Sequence, residues 1–173
     1  MRTLLFALVA SAVLAAPAGA QQAADADLTR RVAGSILSYS QFSIFDDVRI
    51  AVDGPRVTLT GRVTMPFKRE AIGERVAGLH GVEDVVNRIE VLPASLSDTR
   101  LRRQVAQAIY THPSFWHYAS MSNPPIHIIV ERGRVTLTGT VNSQTDRMLA
   151  FALAQVDGAL GVTNELQLDK TGS

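Results

Sequence analysis

The side chains best suited to chemistry in this chain are four histidines, His80, His112, His117 and His127. A metal site needs ligands at a set spacing, such as the two histidines one helical turn apart in H-E-x-x-H, and none of the four stands in such a pattern. His112 and His117 are five apart in what reads as a loop, without carboxylate or cysteine partners. Cysteine is absent, which excludes thiolate ligands, a thiol nucleophile and a disulfide framework. The serines lack a G-x-S-x-G elbow that would present one of them to a base. Neither G-x-x-x-x-G-K nor a G-x-G-x-x-G after a strand is present to cradle phosphate. The sequence therefore nominates no catalytic, cofactor-binding or metal-ligating residue, and enzymatic activity is not expected.

What remains is the chemistry of surfaces. The stretch from Tyr110 to Pro125 holds the only tryptophan and two of the three tyrosines. Aromatic rings with a polar tip favour the boundary between hydrocarbon and water, and nearby arginines attract anionic headgroups. Arg100, Arg102 and Arg103, with Phe115, Trp116 and Tyr118, form the candidate lipid-contacting surface. The same aromatics have a second reading, in which they fold back to cover a small core or fill the gap between two domains.

Those residues are positioned by a repeat. Arg56-Val57-Thr58-Leu59-Thr60-Gly61 recurs verbatim as Arg134-Val135-Thr136-Leu137-Thr138-Gly139, and the flanks agree with it. Val48 to Val52 matches Ile126 to Val130, and Gly81 to Asn87 matches Gly158 to Asn164 after a one-residue deletion. Self-similarity of this kind defines the architecture before any other feature does. Two modules follow, residues 25–93 and 97–170, joined by Pro93-Ala94-Ser95-Leu96. Each is small for a lone domain without disulfides or metal, so the two are expected to pack together. The aromatic stretch is an insertion in the second module: twelve steps separate Ile36 from Val48, against seventeen from Ile109 to Ile126.

Within each module the hydrophobic period changes in order. Leu28, Val32 and Ile36, and again Leu101, Val105 and Ile109, recur every four residues and predict opening helices, with Asp25 and Asp98 placed to cap them or favour the dipole. Alternating apolar residues then predict a hairpin, turning at Asp53-Gly54-Pro55-Arg56 and Glu131-Arg132-Gly133-Arg134, with Thr136 and Thr138 on the face away from the core. Second helices follow from about Pro66 to Leu79 and about Gln144 to Val156. Pro66 suits a first turn, and Ser143 with Asp146 has capping-box spacing. Closing strands carry Val85, Asn87, Ile89, Val91 and Val162, Asn164, Leu166, Leu168. The reading is an α+β fold of two tandem α-β-β-α-β modules, each a small mixed three-stranded sheet packed against two helices on one face. Gly61, Gly81, Gly139 and Gly158, at element ends, are expected to serve structure through positive φ or close packing. Asn87 and Asn164 are expected to bond nearby backbone.

Residues 1–20 read as a cleavable signal peptide, with Arg2, an apolar run from Leu4 to Ala16, and Ala18-Gly19-Ala20 before Gln21. Removing Arg2 leaves sixteen basic and sixteen acidic residues, and a neutral exported chain argues against nucleic acid as a partner.

The order helix, hairpin with V-x-L-x-G on its second strand, helix, and closing strand with G-V-x-x-V-x-N resembles the BON domain. The carrying residues are Val57 to Gly61, Gly81 to Val91, Val135 to Gly139 and Gly158 to Leu168, with Ala159 where the pattern has valine. The resemblance covers nearly all of the chain after residue 20 and implies export to the bacterial envelope, attachment to phospholipid, and no catalytic residues. The expectation is a non-enzymatic periplasmic protein that binds anionic phospholipid surfaces peripherally, supports envelope integrity under osmotic or envelope stress, and engages other envelope proteins. No lipidated cysteine anchors it. The competing expectation is a periplasmic chaperone-like or adaptor protein that binds other polypeptides.

Overall fold

The structure, a computed structural model, describes residues 18–169. Most of the signal segment expected at residues 1–20 lies outside the described residues. The first module runs α1 (Ala18–Leu37), β1 (Asp47–Asp53), β2 (Arg56–Val63), α2 (Pro66–Ala77) and β3 (Asp84–Val91). The second repeats it as α3 (Leu96–Tyr110), β4 (Ile126–Glu131), β5 (Arg134–Val141), α5 (Gln144–Leu153) and β6 (Gly161–Asn164). The insertion adds a 3-10 turn (Pro113–Phe115) and a short helix α4 (Trp116–Ala119), and β7 (Gln167–Leu168) closes the chain.

The repeated hexapeptide occupies the central strand of each sheet. β1 and β2 pair antiparallel from Asp47↔Arg62 to Asp53↔Arg56, and β3 joins β2 in parallel from Arg56↔Asp84 to Val63↔Val91. In the second sheet Ile126↔Gly139 to Glu131↔Arg134 is antiparallel and Arg134↔Gly161 to Leu137↔Asn164 parallel, with β7 continuing along Thr140 and Val141. A hairpin followed by a helical crossover to a parallel strand gives this mixed topology. Helices cover one face. Leu28, Val32 and Ile36 meet Val57, Leu59, Ile72 and Ile89 in one core, and Leu101, Val105 and Ile109 meet Val135, Leu137, Ala150 and Leu166 in the other.

Local chemistry accounts for the boundaries. Pro66 opens α2, where its missing amide costs nothing. The Ser143 hydroxyl accepts from the Asp146 amide at 3.0 Å to cap α5. The two asparagines act alike: Asn87 Nδ2 donates to the Arg69 carbonyl and Asn164 Nδ2 to the Arg147 carbonyl, each at 2.8 Å, tying the last strand to the preceding helix. Gly61, Gly81, Gly139 and Gly158 all have positive φ. At Gly61 and Gly139 the constraint is doubled, because an added Cβ would run into the backbone carbonyl oxygen of Asp47 and Pro125 respectively.

The capping expectations for Asp25 and Asp98 are corrected, while Asp98 does lie in the first turn of α3, where its charge favours the dipole. α1 begins at Ala18, which leaves Asp25 in its interior, where the carboxylate accepts from Gln21 Nε2 at 2.7 Å. α3 is capped by Ser95, whose hydroxyl accepts from the Asp98 amide. Asp98 is thereby freed to accept from the amides of Arg132 and Gly133 at 2.9 and 2.8 Å in the β4–β5 turn. Both of those residues have positive φ, the signature of a type I′ turn. A buried carboxylate thus pins the helix to the hairpin tip.

The modules pack together through the segment before β1. Ile44 and Phe45 lie against the second core, and the Ile44 carbonyl accepts from the Ile128 amide at 2.7 Å on the free edge of β4. His127 Nδ1 donates to the Asp46 carbonyl at 2.6 Å while its ring lies 5.6 Å from that of Phe42. Arg49 with Glu165, and Arg62 with Glu131, bridge the modules at the surface. The helix-free sheet faces look toward each other across a cleft, which buries Ile129 and Thr138 although both point away from their own core.

Candidate functional site

α3 carries the three candidate arginines, and its geometry sorts them. At about 100° per residue, Leu96, Arg100, Arg103 and Gln107 fall within about 60° of one another around the axis. Asp98, Leu101, Arg102, Val105 and Ile109 occupy the opposite, buried side. The outward strip is exposed throughout, Leu96 reaching 88%. It runs along a helix about 21 Å long, at 1.5 Å per residue. Beyond its end, Trp116 is 63% exposed, and its indole N–H donates to the Thr111 carbonyl at 3.2 Å. Arg100, Arg103 and Trp116 therefore remain available at the surface, with Leu96 a member that hydrophobic periodicity did not single out.

Phe115, Tyr118 and Arg102 are corrected as surface residues. Phe115 and Tyr118 are 0% and 1% exposed and belong to the second core, their ring centroids 5.9 Å apart. The physical reason for Tyr118 comes from comparing the modules. In the first, Asp46 Oδ1 accepts from the Thr64 amide at 2.8 Å, and Oδ2 from Lys68 Nζ at 2.7 Å. Asn142 and Asp146 stand at the matching positions of the second. There the Tyr118 hydroxyl takes the place of the Asp46 carboxylate, accepting from the Asn142 amide at 2.7 Å and donating to Asp146 Oδ2 at 3.1 Å. The insertion delivers a phenol to the spot where the first module uses a carboxylate, with the polarity of the pair reversed. Arg102 is 6% exposed because its Nη2 donates to the Val130 carbonyl at 2.6 Å inside the module.

Asp46 is the principal residue that sequence reasoning missed. It is fully buried, and besides Thr64 and Lys68 it accepts from the Ser43 amide and hydroxyl at 2.9 and 2.8 Å. Ser43 and Asp46 have the spacing of a capping box without a helix behind it, which was the available signal.

Electrostatics follows burial. Desolvation pulls the Arg102 guanidinium below the ordinary arginine value, against the opposing fields of Asp98 and Asp46, and its Nε has no partner. Burial likewise pushes the Tyr110 and Tyr118 hydroxyls up. Tyr110 donates to the Ile126 carbonyl at 2.6 Å. Among the described residues no cluster of three or more His, Asp or Glu is placed to hold a metal, and no helix is long and apolar enough to cross a membrane. The histidines stay apart: His80 and His117 are exposed, His112 accepts from the Ser114 amide, and His127 serves the module junction.

Two α-β-β-α-β modules are thus locked through a buried junction, and the second presents an exposed helix face carrying Arg100 and Arg103. The family model for the BON domain matches twice, at residues 24–93 and 97–170, and the chain belongs to that family. BON domains are generally non-catalytic, phospholipid-binding and associated with the cell envelope. Comparison with curated proteins finds no match. Among solved structures the chain is similar to CdsD, a structural protein of the type III secretion system of Chlamydia trachomatis, at 13% identity over 84% of this chain and 95% of that one, with a TM-score of 0.31. It is also similar to the CdsD C-terminal domain, at 14% identity over 83% and 98% of the two chains and the same TM-score of 0.31.

Proposed function

We propose that this chain is a non-enzymatic, exported envelope protein that associates peripherally with anionic phospholipid surfaces and supports envelope integrity under osmotic or envelope stress. The observation that carries the reading is the α3 strip: Leu96, Arg100 and Arg103 exposed along one side of a helix, with Trp116 exposed beyond its end. A helix lying flat on a bilayer would set the two arginines among headgroup phosphates and the apolar side chains at the boundary. Attraction is local, because basic and acidic residues nearly balance over the whole chain. Trp116, the only tryptophan, reports on this directly. Phosphatidylglycerol vesicles should shift its emission to the blue and sediment the protein, both effects weakening with added salt. Unchanged emission with no cosedimentation refutes the reading, and directs the search to polypeptide partners.

A further inference from the structure

A second cavity opens where the modules meet. It measures about 490 Å³, inside the range of roughly 300 to 1,000 Å³ usual for small-molecule sites. Phe45, Met65, Pro93, Ala94 and Leu96 supply apolar wall from the first module and the linker. The charged side chains in its lining are Lys68, Arg102 and Arg103; the nearest carboxylates, Asp46 on Lys68 and Asp98, stand behind the lining rather than in it. Two of these are already engaged or exposed. Lys68 is held by Asp46, and Arg103 faces solvent. Arg102 differs: it is nearly buried, it satisfies a backbone carbonyl through Nη2, and its Nε has no hydrogen-bond partner. That Nε is itself closed off from the cavity, so what the occupant meets is the rest of a largely desolvated guanidinium, whose charge burial already weighs against and which an anion alongside would stabilise.

We infer that this cavity binds one single-chain anionic amphiphile, its alkyl chain along Phe45, Met65, Pro93 and Leu96 and its carboxylate or phosphate head toward Arg102 and Arg103. The occupant is committed by charge: basic groups are the only ionic groups in the lining, and the remaining wall is largely apolar. The site shares Leu96 and Arg103 with the α3 strip but faces the module junction through Phe45, Met65, Pro93 and Arg102, whereas the strip also needs Arg100 and Trp116 and a bilayer rather than a dissolved molecule.

The test is titration calorimetry of the chain with dodecanoate below its micelle concentration, beside dodecyltrimethylammonium, which keeps the chain length and reverses the head. Dodecanoate should bind at one site and the cationic analogue should not. Thr99→Trp, which places a large side chain at an exposed position of the cavity wall, should abolish dodecanoate binding while leaving vesicle cosedimentation intact. Arg102→Gln should weaken it about tenfold or more, the scale of one charge-assisted hydrogen bond. Should Arg102→Gln fail to fold, Thr99→Trp and the cationic analogue decide. No heat with dodecanoate, equal binding of the two amphiphiles, or undiminished binding in Thr99→Trp overturns the inference. A vesicle-binding protein that ignores dodecanoate would refute the cavity and keep the surface; the reverse would do the opposite.

Discussion

Replacing Asp46 by alanine isolates the junction's central group. Its carboxylate accepts five hydrogen bonds, from the amide and hydroxyl of Ser43, the amide and hydroxyl of Thr64, and Lys68 Nζ. Lys68 and Asp46 are 8% and 0% exposed at the side chain, so the pair is shielded from water. Removing one partner of a buried pair strands the other charge and costs about 3 to 5 kcal/mol. At about 2 to 4 °C per kcal/mol for a chain of this size, Asp46→Ala should lower Tm by roughly 6 to 20 °C. Lys68→Met should cost less, about 1 to 2 kcal/mol, because the carboxylate keeps its four donors from Ser43 and Thr64. The double variant carries no stranded ammonium and should be more stable than the two single costs together imply, by about 1 to 3 kcal/mol. Urea unfolding of the three variants, followed by circular dichroism, measures the cycle. An Asp46→Ala cost under about 1 kcal/mol, or additivity within about 0.5 kcal/mol, would refute the argument that the pair is buried and mutually dependent.

Three further predictions address the glycines, the tyrosines and the helix strip. Gly139→Ala must accommodate both φ 102 and the collision with the Pro125 carbonyl, and should cost about 4 kcal/mol from strain and overpacking. Gly158→Ala, at φ 91 with nothing within 4 Å of the new methyl, should cost only the left-handed strain of about 1 to 2 kcal/mol by the same unfolding assay. Tyr110 and Tyr118 are raised above their ordinary value of 10.0, so the fold keeps their protons where the unfolded chain releases them. The stability they contribute is present below pH 10.0 and declines upward from it as the unfolded chain ionises. Their phenolate absorbance should therefore appear together with alkaline unfolding, and titration of both near 10.0 in an intact fold would contradict the burial. Arg100→Ala with Arg103→Ala should weaken phosphatidylglycerol binding about 30-fold at low salt, from about 1 kcal/mol per basic residue, with Tm unchanged because both side chains are exposed.

Periodicity made most of the fold legible and little of the junction. The every-fourth spacing of Leu28, Val32 and Ile36 and the alternation through Ile126, Ile128 and Val130 report burial directly, since a face must be apolar to be covered. Asn87 and Asn164 were readable because the repeat shows both at the same step of a closing strand. Charges offered no such period. Asp46 in Phe45-Asp46-Asp47 and Lys68 in Phe67-Lys68-Arg69-Glu70 have the composition of solvated surface, and only distant pairing buries them. Asp98 looked like a cap because its position in the first helical turn allowed it, while the competing partner lay 34 residues away at Arg132. In the aromatic insertion, Phe115 and Tyr118 are three apart and Trp116 lies between them. That spacing puts two rings on one side of a helical turn and the third on the other, as the structure has them. Reading the segment as one patch obscured the split.

The unlike plugs, Asp46 in one module and Tyr118 in the other, bear on how two sheets with the same central strand avoid assembling from each other's parts. Either hairpin could in principle recruit the wrong copy of Arg-Val-Thr-Leu-Thr-Gly, giving a misthreaded or swapped product, a characteristic hazard of repeats. A strand exchange would carry the flanking chain with it and bring the Asp46 carboxylate up to Asp146, a meeting of like charges, while leaving the Lys68 ammonium to a phenol. One mispairing thus sets like charges together and the other strips an ammonium of its counter-charge, so strands that share a hexapeptide are sorted by the groups that close over their ends.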